Sequence, residues 1–147
     1  MPKLLHEPEV YASIRKRIES LRPETPRRWG KMSLDQMLWH VNVSMREAVG
    51  DYKPEIKPLP IPKPMLRWMV INMPWGKGAR TRPDMYPGPS YDLTEQKAET
   101  LSLMDRIYQK PLSSSWPESV SMGRMTGKHW SQLTARHLDH HLRQFSS

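Results

Sequence analysis

The sequence predicts an all-α fold, an up-and-down four-helix bundle with a long proline-rich connection between the second and third long helices. Three observations lead there. Apolar residues recur at steps of three and four in four separate segments, the period of a helix with one buried face. Strand-like alternation never runs beyond a few residues, and no Asn-Gly or Asp-Gly hairpin signal is present. Nine of the fifteen prolines fall between residues 51 and 90, so irregular backbone is concentrated in one place. With 147 residues, the length favours a single domain over residues 1–147, large enough to bury roughly two thirds of its unfolded surface.

The first helix is expected from about Pro8 to Leu21, where Val10, Ile14, Ile18 and Leu21 form one stripe and Pro23 and Pro26 stop it. The second opens at Ser33, which with Gln36 makes a capping-box pair. Leu34, Met37, Leu38, Val41, Met45 and Val49 line its face, and Gly50 supplies the stop. Prolines 54, 58, 60, 62 and 64 exclude helix and central strand and predict an extended connection that wraps over one end as a lid or pocket wall. A short helix over Met65 to Met73 follows Pro64 and closes at Pro74. The third long helix begins near Asp92 or Thr94, with Asp92 and Glu95 as its capping pair and Ala98, Leu101, Met104, Ile107 and Tyr108 as its stripe; Pro111 stops it. The last runs from near Thr126 to Phe145. Trp130, Leu133, Thr134, His137, His141 and Phe145 share one face, and Lys128, Gln132, Arg136, Asp139 and Arg143 the other. The six tryptophans, spread along the chain, read mostly as packing residues.

Composition removes several function classes. There is no cysteine, which excludes disulfides, thiolate metal sites and a cysteine nucleophile. Lys and Arg number 23 against 15 Asp and Glu, a net charge of +8 that attracts anionic ligands. The cations are scattered, with no helix-turn-helix signature and no basic stripe interleaved with aromatics, so nucleic acid is not an expected partner. No run of eighteen apolar residues exists, so no membrane partner is expected. The opening Met-Pro-Lys-Leu-Leu-His-Glu lacks the pattern of a secretory signal, and the expected compartment is the cytoplasm.

The histidines carry the sharpest chemistry. His137 and His141 stand four apart, one turn from each other, in the middle of the apolar stripe of the last helix. An unpaired imidazole in a core is costly, and no carboxylate shares that face. One partner for both, a metal ion, meets the requirement. The alternative is that each bonds separately to a group on another helix, and a His137–His140 pair is the less favoured metal geometry. His140 sits about 60° off the pair by the helical period and reads as an outer or pocket residue. A third ligand must come from elsewhere, and His40, at the edge of the second helix's stripe beside Met37 and Ser44, is the best placed. His6 and His129 are expected to be exposed.

Two strings carry a family resemblance. Residues 29–40, Trp-Gly-Lys-Met-Ser-Leu-Asp-Gln-Met-Leu-Trp-His, and residues 137–145, His-Leu-Asp-His-His-Leu-Arg-Gln-Phe, resemble the DinB-like superfamily, in particular a subgroup of short bacterial proteins of unknown function. The resemblance covers residues 29–50 and 122–145 and is loose between them, although Pro74-Trp75-Gly76-Lys77-Gly78 shares the family's flavour. It implies a four-helix bundle with a three-histidine site at His40, His137 and His141 that holds zinc or nickel. His140, Arg143 and Trp39 are expected to stand behind these ligands or in the pocket beside them. The resemblance also implies that some relatives transfer low-molecular-weight thiols such as bacillithiol, mycothiol or glutathione, and that others isomerise maleylpyruvate with a thiol. Many relatives have His-Pro ahead of the glycine that precedes the last helix; this chain has Ser119-Val120-Ser121-Met122-Gly123, so that histidine's role does not carry over.

The leading functional expectation is a metal-dependent thiol S-transferase acting on small electrophiles, with Arg80, Arg82 or Arg143 binding the carboxylates of the thiol. A metal-dependent hydrolase is a second reading. It lacks an inward-facing general base, since Asp35 and Asp139 point away from their stripes, and Asp84 would have to serve. A non-catalytic metal-binding or interaction protein is a third. A homodimer is a further expectation.

Overall fold

The computed structural model describes residues 2–57, 59–77 and 82–145. Pro58, Gly78 and Arg80, named above, lie outside them. Among the described residues there are five α-helices: α1 (Pro8–Glu19), α2 (Leu34–Val49), α3 (Lys63–Asn72), α4 (Leu93–Gln109) and α5 (Gly127–Leu142). A 3-10 turn, Pro83–Met85, lies between α3 and α4. Among the described residues there is no strand, only isolated bridges between Arg27 and Phe145 and between Ser119 and Gly123.

Capping chemistry sets the helix starts where the sequence puts them. The Ser33 N–H donates to Gln36 Oε1 at 2.9 Å ahead of α2. Asp92 Oδ1 accepts from the Glu95 N–H at 2.9 Å ahead of α4. Thr126 Oγ1 accepts from the His129 N–H at 3.2 Å, and His129 Nδ1 accepts the Thr126 N–H at 3.1 Å. His129 is therefore a half-buried cap rather than a free surface residue. α2 ends on Gly50 at φ +85°, a left-handed position that glycine fills at least cost.

The ends differ more. α1 stops at Glu19, yet Leu21 stays buried. α5 stops at Leu142 rather than Phe145, because the chain there leaves the helix to meet residues 27–28: the Arg28 N–H donates to the Gln144 carbonyl at 2.7 Å, and buried Phe145 bridges to Arg27. The amino terminus is also tied down. Leu5 is fully buried, and the His6 ring bonds Ser131 Oγ at 2.8 Å and the Lys110 carbonyl at 2.8 Å, so His6 is a half-buried strap and not an exposed residue.

α2 packs against α4 and α5, and α1 packs against the same two. Successive helices of a simple up-and-down bundle are neighbours; here α1 and α2 are not among the well-packed pairs, nor are α4 and α5. The connections 20–33 and 110–126 are longer than tight bundle turns. α3 packs against α5. The core is one cluster, with Ile18, Met37, Val41, Met104, Ile107 and Trp130 at its centre. α2 and α4 are also keyed by a polar lock: fully buried Asn42 donates to the Gln96 carbonyl and Oε1 at 3.1 Å each and accepts from Thr100 Oγ1 at 2.7 Å. Each such bond contributes about 1 kcal/mol, but leaving Asn42 unpaired would cost more, so the lock fixes register. Not every tryptophan packs: Trp68, on the outer face of α3, is 60% exposed. No helix among the described residues is long and apolar enough to cross a membrane.

Candidate metal centre

α2 and α5 pack together with His40 on one and His137 and His141 on the other. All three imidazoles are buried, with residue exposures of 3%, 9% and 8%. Their ring centroids form a nearly equilateral triangle: 4.9 Å for His40–His137, 4.6 Å for His40–His141 and 4.7 Å for His137–His141. One ring nitrogen from each lies within 4.8 Å of the others, close enough to bind a single metal ion. Their metal-ligating neighbours among the described residues are one another, with no carboxylate in the group.

Partners behind the rings orient two of them. His40 Nδ1 is 2.9 Å from the Met85 carbonyl, which fixes the proton on Nδ1 and leaves the Nε2 lone pair pointing inward. His141 Nδ1 is 2.7 Å from Gln144 Oε1, with the same consequence for its Nε2. His40 Nε2 and His137 Nε2 face each other at 3.0 Å. Two imidazole nitrogens on one tetrahedral ion, each at 2.0–2.1 Å, stand about 3.3 Å apart, so the pair is spaced to within a few tenths of an ångström for a shared ion. Without an ion, the contact needs a proton from His137 Nε2, since His40 keeps its own on Nδ1.

Electrostatics hold the trio neutral. Burial lowers the pKa of His137 well below the ordinary value, and the neighbouring His141 and His40 lower it further. Burial pushes His141 down to about 3, with His40 adding to the effect and the Gln144 hydrogen bond opposing it. Burial also lowers His40, against the bond to Met85. Neutral imidazoles are the ligating form, so no proton must be displaced from a charged ring for a cation to bind.

Outside the trio, half-buried His140 makes an edge contact with His141 at 5.0 Å and lies between Trp29 and Trp75, each 5.3 Å away. Trp75 also meets His137 at 5.9 Å. Its indole is held by its own N–H donating to the Val70 carbonyl at 2.8 Å and by the Arg136 guanidinium 4.7 Å from the ring. Trp39 is directed elsewhere, stacked on Tyr91 at 5.1 Å. Arg143 pairs with Asp139 at 3.0 Å and lines a groove of about 690 Å³ between α1 and α5 that none of the three histidines touches. Asp35 accepts from the Tyr91 N–H at 2.8 Å, and Asp139 pairs with Arg17 at 2.8 Å. Asp84 accepts from Tyr52 and Arg82, one residue from the carbonyl behind His40.

Sequence reasoning did not single out Gln144, Met85, Trp29 or Trp75 for these places. Gln144 follows His141 by three residues, which was a usable signal. A backbone carbonyl in an aperiodic connection leaves none.

A family model described as a protein of unknown function, DUF1569, matches residues 5–147, and the chain belongs to that family. No curated protein and no solved structure matches it.

Proposed function

We propose that this DUF1569-family protein is a divalent-metal protein whose donor set, His40, His137 and His141, leaves a coordination position for a small-molecule ligand, and that it works as a metal-dependent thiol S-transferase on small electrophiles. The observation that carries the first part is the meeting of His40 Nε2 and His137 Nε2 at 3.0 Å with the His141 ring closing the triangle. Imidazole donors suit zinc and nickel. A set of three is the layout that keeps a position open for a ligand from solution. Bound there, the ion supplies positive charge that lowers the pKa of a thiol reaching that position.

Three neutral donors leave the ion's full charge in place, which would lower the pKa of whichever ligand, thiol or water, took the open position. The preference for a thiol over hydrolysis rests on the general base: no carboxylate bonds to a ring of the trio among the described residues, and Asp84 sits on the Nδ1 side of His40, behind the ligand. That weighs against a hydrolase. Trp75 and His140 border the trio and offer an apolar wall for an electrophile. Of the cations expected to bind a carboxylate on the thiol, Arg82 is engaged by Glu47 and Asp84 and Arg143 by Asp139, and Arg80 lies outside the described residues. In this reading α1, α2, α4 and α5 form a four-helix bundle within one domain, residues 1–147, and the DinB-like resemblance accounts for both bundle and ligand set.

The test uses cobalt(II)-loaded protein. Addition of a low-molecular-weight thiol is expected to produce a sulfur-to-cobalt charge-transfer band in the wild type and none in His137→Ala, and the zinc- or nickel-loaded wild type is expected to consume an electrophile only when thiol is present. Cobalt binding without a thiol band, and without thiol-dependent turnover across several thiols, leaves a non-catalytic metal-binding protein instead.

A further inference from the structure

The connection between α2 and α4 places a backbone atom, the Met85 carbonyl, 2.9 Å from His40 Nδ1. Met85 ends a 3-10 turn of three residues, Pro83–Met85. A turn that short has little internal stiffness, so whatever holds the carbonyl in place lies outside it.

A charged cluster sits at that point. Arg82, just before the turn, donates from Nη2 to Glu47 Oε2 at 2.9 Å and from Nη1 to Glu47 Oε1 at 3.4 Å. Nη2 also donates to Asp84 Oδ2 at 3.1 Å, and the Tyr52 hydroxyl donates to the same oxygen at 3.0 Å. Glu47 lies on α2 seven residues, two turns, beyond His40, so the cluster ties the turn to the helix that carries the ligand. The side chains are largely buried: 6% exposed for Glu47, 12% for Asp84 and 20% for Arg82.

As a device for stability alone this is a poor design. Burying three charged side chains gives back in desolvation much of what the ion pairs supply. Among the described residues, Arg82 Nε and Asp84 Oδ1 are buried with no hydrogen-bond partner, and such orphans in a native structure point to a constraint other than stability. The geometry supplies that constraint, because Arg82 immediately precedes, and Asp84 lies within, the turn whose carbonyl sets the His40 tautomer.

We propose that Arg82, with Glu47, Asp84 and Tyr52, is a positioning cluster that holds the Met85 carbonyl on His40 Nδ1–H and so keeps the His40 Nε2 lone pair aimed at His137 and His141. The ligand function of His40 rests on the metal reading above; the tautomer does not. Orienting partners behind a ligating histidine set ring direction and ligand basicity, and here the partner is a backbone atom that the cluster places. Arg is suited to the role because its planar fork engages a carboxylate with two N–H groups, which a lysine cannot reproduce.

Two readouts test this, one of them without metal. Long-range imidazole 1H–15N spectra of the metal-free, 15N-labelled protein report which nitrogen of His40 carries the proton, and cobalt(II) titration reports affinity and ligand-field spectrum. The wild type is expected to hold His40 with the proton on Nδ1. Arg82→Ala and Glu47→Gln are expected to mix the two tautomers, weaken cobalt binding about 10–100-fold and shift the ligand-field bands. The control Arg106→Ala, which removes an exposed ion pair to Asp51 at the start of the same connection, is expected to change neither readout. Wild-type tautomer and wild-type affinity in folded Arg82→Ala and Glu47→Gln overturn the proposal. If neither variant folds, Tyr52→Phe decides by the same readouts: a smaller shift in the same direction supports positioning, and an unchanged spectrum and affinity overturn it. Should the wild type bind no cobalt, the metal reading fails, and the tautomer of the metal-free variants still decides the positioning claim.

Discussion

Gln144 is the side chain on which His141 depends for its direction. Its Oε1 accepts from Nδ1 at 2.7 Å, and its amide packs so closely on Gly30 that a Cβ there would lie 2.7 Å from Nε2. Gly30, at φ +90°, is thus a cradle for Gln144 as well as a turn. Gln144→Leu is expected to keep the fold and weaken zinc binding about 10–100-fold, read by competition with a chromogenic chelator. Acid acts at the same residues with a definite sign. In the metal-free protein, burial keeps His40, His137 and His141 neutral when folded, and His141 titrates only near 3. Unfolding restores the ordinary value near 6.5, so below that pH the unfolded chain binds more protons than the folded one. Stability must fall on acidification below about 6.5, by up to about 1.4 kcal/mol per pH unit for each histidine that stays neutral in the folded chain. Urea midpoints measured in chelator from pH 7.5 to 5 are expected to show that fall, and a flat profile would contradict the buried neutral trio. The trio was legible because His137 and His141 sit on a strongly periodic helix and His40 edges another stripe. Gln144 offered only its three-residue spacing from His141, because its role also depends on the chain leaving the helix after Leu142.

On the scale of elements, an arginine of α5 caps the end of α3. Arg136 donates to the carbonyls of Val70, Ile71 and Met73, the unsatisfied end of α3, and its guanidinium covers Trp75. Sequence periodicity put Arg136 on the polar face of its helix, which is correct for a bundle without α3 and incomplete for one with it. Arg136→Ala is expected to cost about 1–3 kcal/mol, because it strips partners from these carbonyls and removes the stacking on Trp75. Urea unfolding measures the loss, and amide exchange of residues 63–72 is expected to accelerate ahead of the other helices. Helix starts were readable to within a residue or two, since caps at Ser33, Asp92 and Thr126 are local chemistry. The pairing of α1 with α4 and α5 rather than with α2 was not, because amphipathic stripes say that a face is buried and not against which helix.

The whole molecule uses its proline-rich connection to bring distant pieces to one place. Residues 51–90 carry α3, Trp75 and the Met85 carbonyl to the face where α2 meets α5, and the histidines joined there are separated by 97 residues in the chain. An ion bound by all three would link two helices that no short turn connects. It would therefore stabilise the fold by mass action, by about 2.7 kcal/mol at a free concentration one hundred times its Kd. That the described connection is aperiodic outside α3 and the 3-10 turn was legible from its prolines, although Pro64, expected to exclude helix, sits in the first turn of α3. What it delivers was not, since a carbonyl and an indole in aperiodic chain leave no spacing to read. The central claim is that His40, His137 and His141 together hold one divalent ion. Elemental analysis of tag-free wild type and of His137→Ala, both shown to be folded by circular dichroism, tests it most directly. The account predicts about one equivalent of zinc or nickel per chain in the wild type and a loss of that metal in the variant. A wild type that stays metal-free after reconstitution with zinc, nickel and manganese would contradict it and make the three histidines a hydrogen-bonded core.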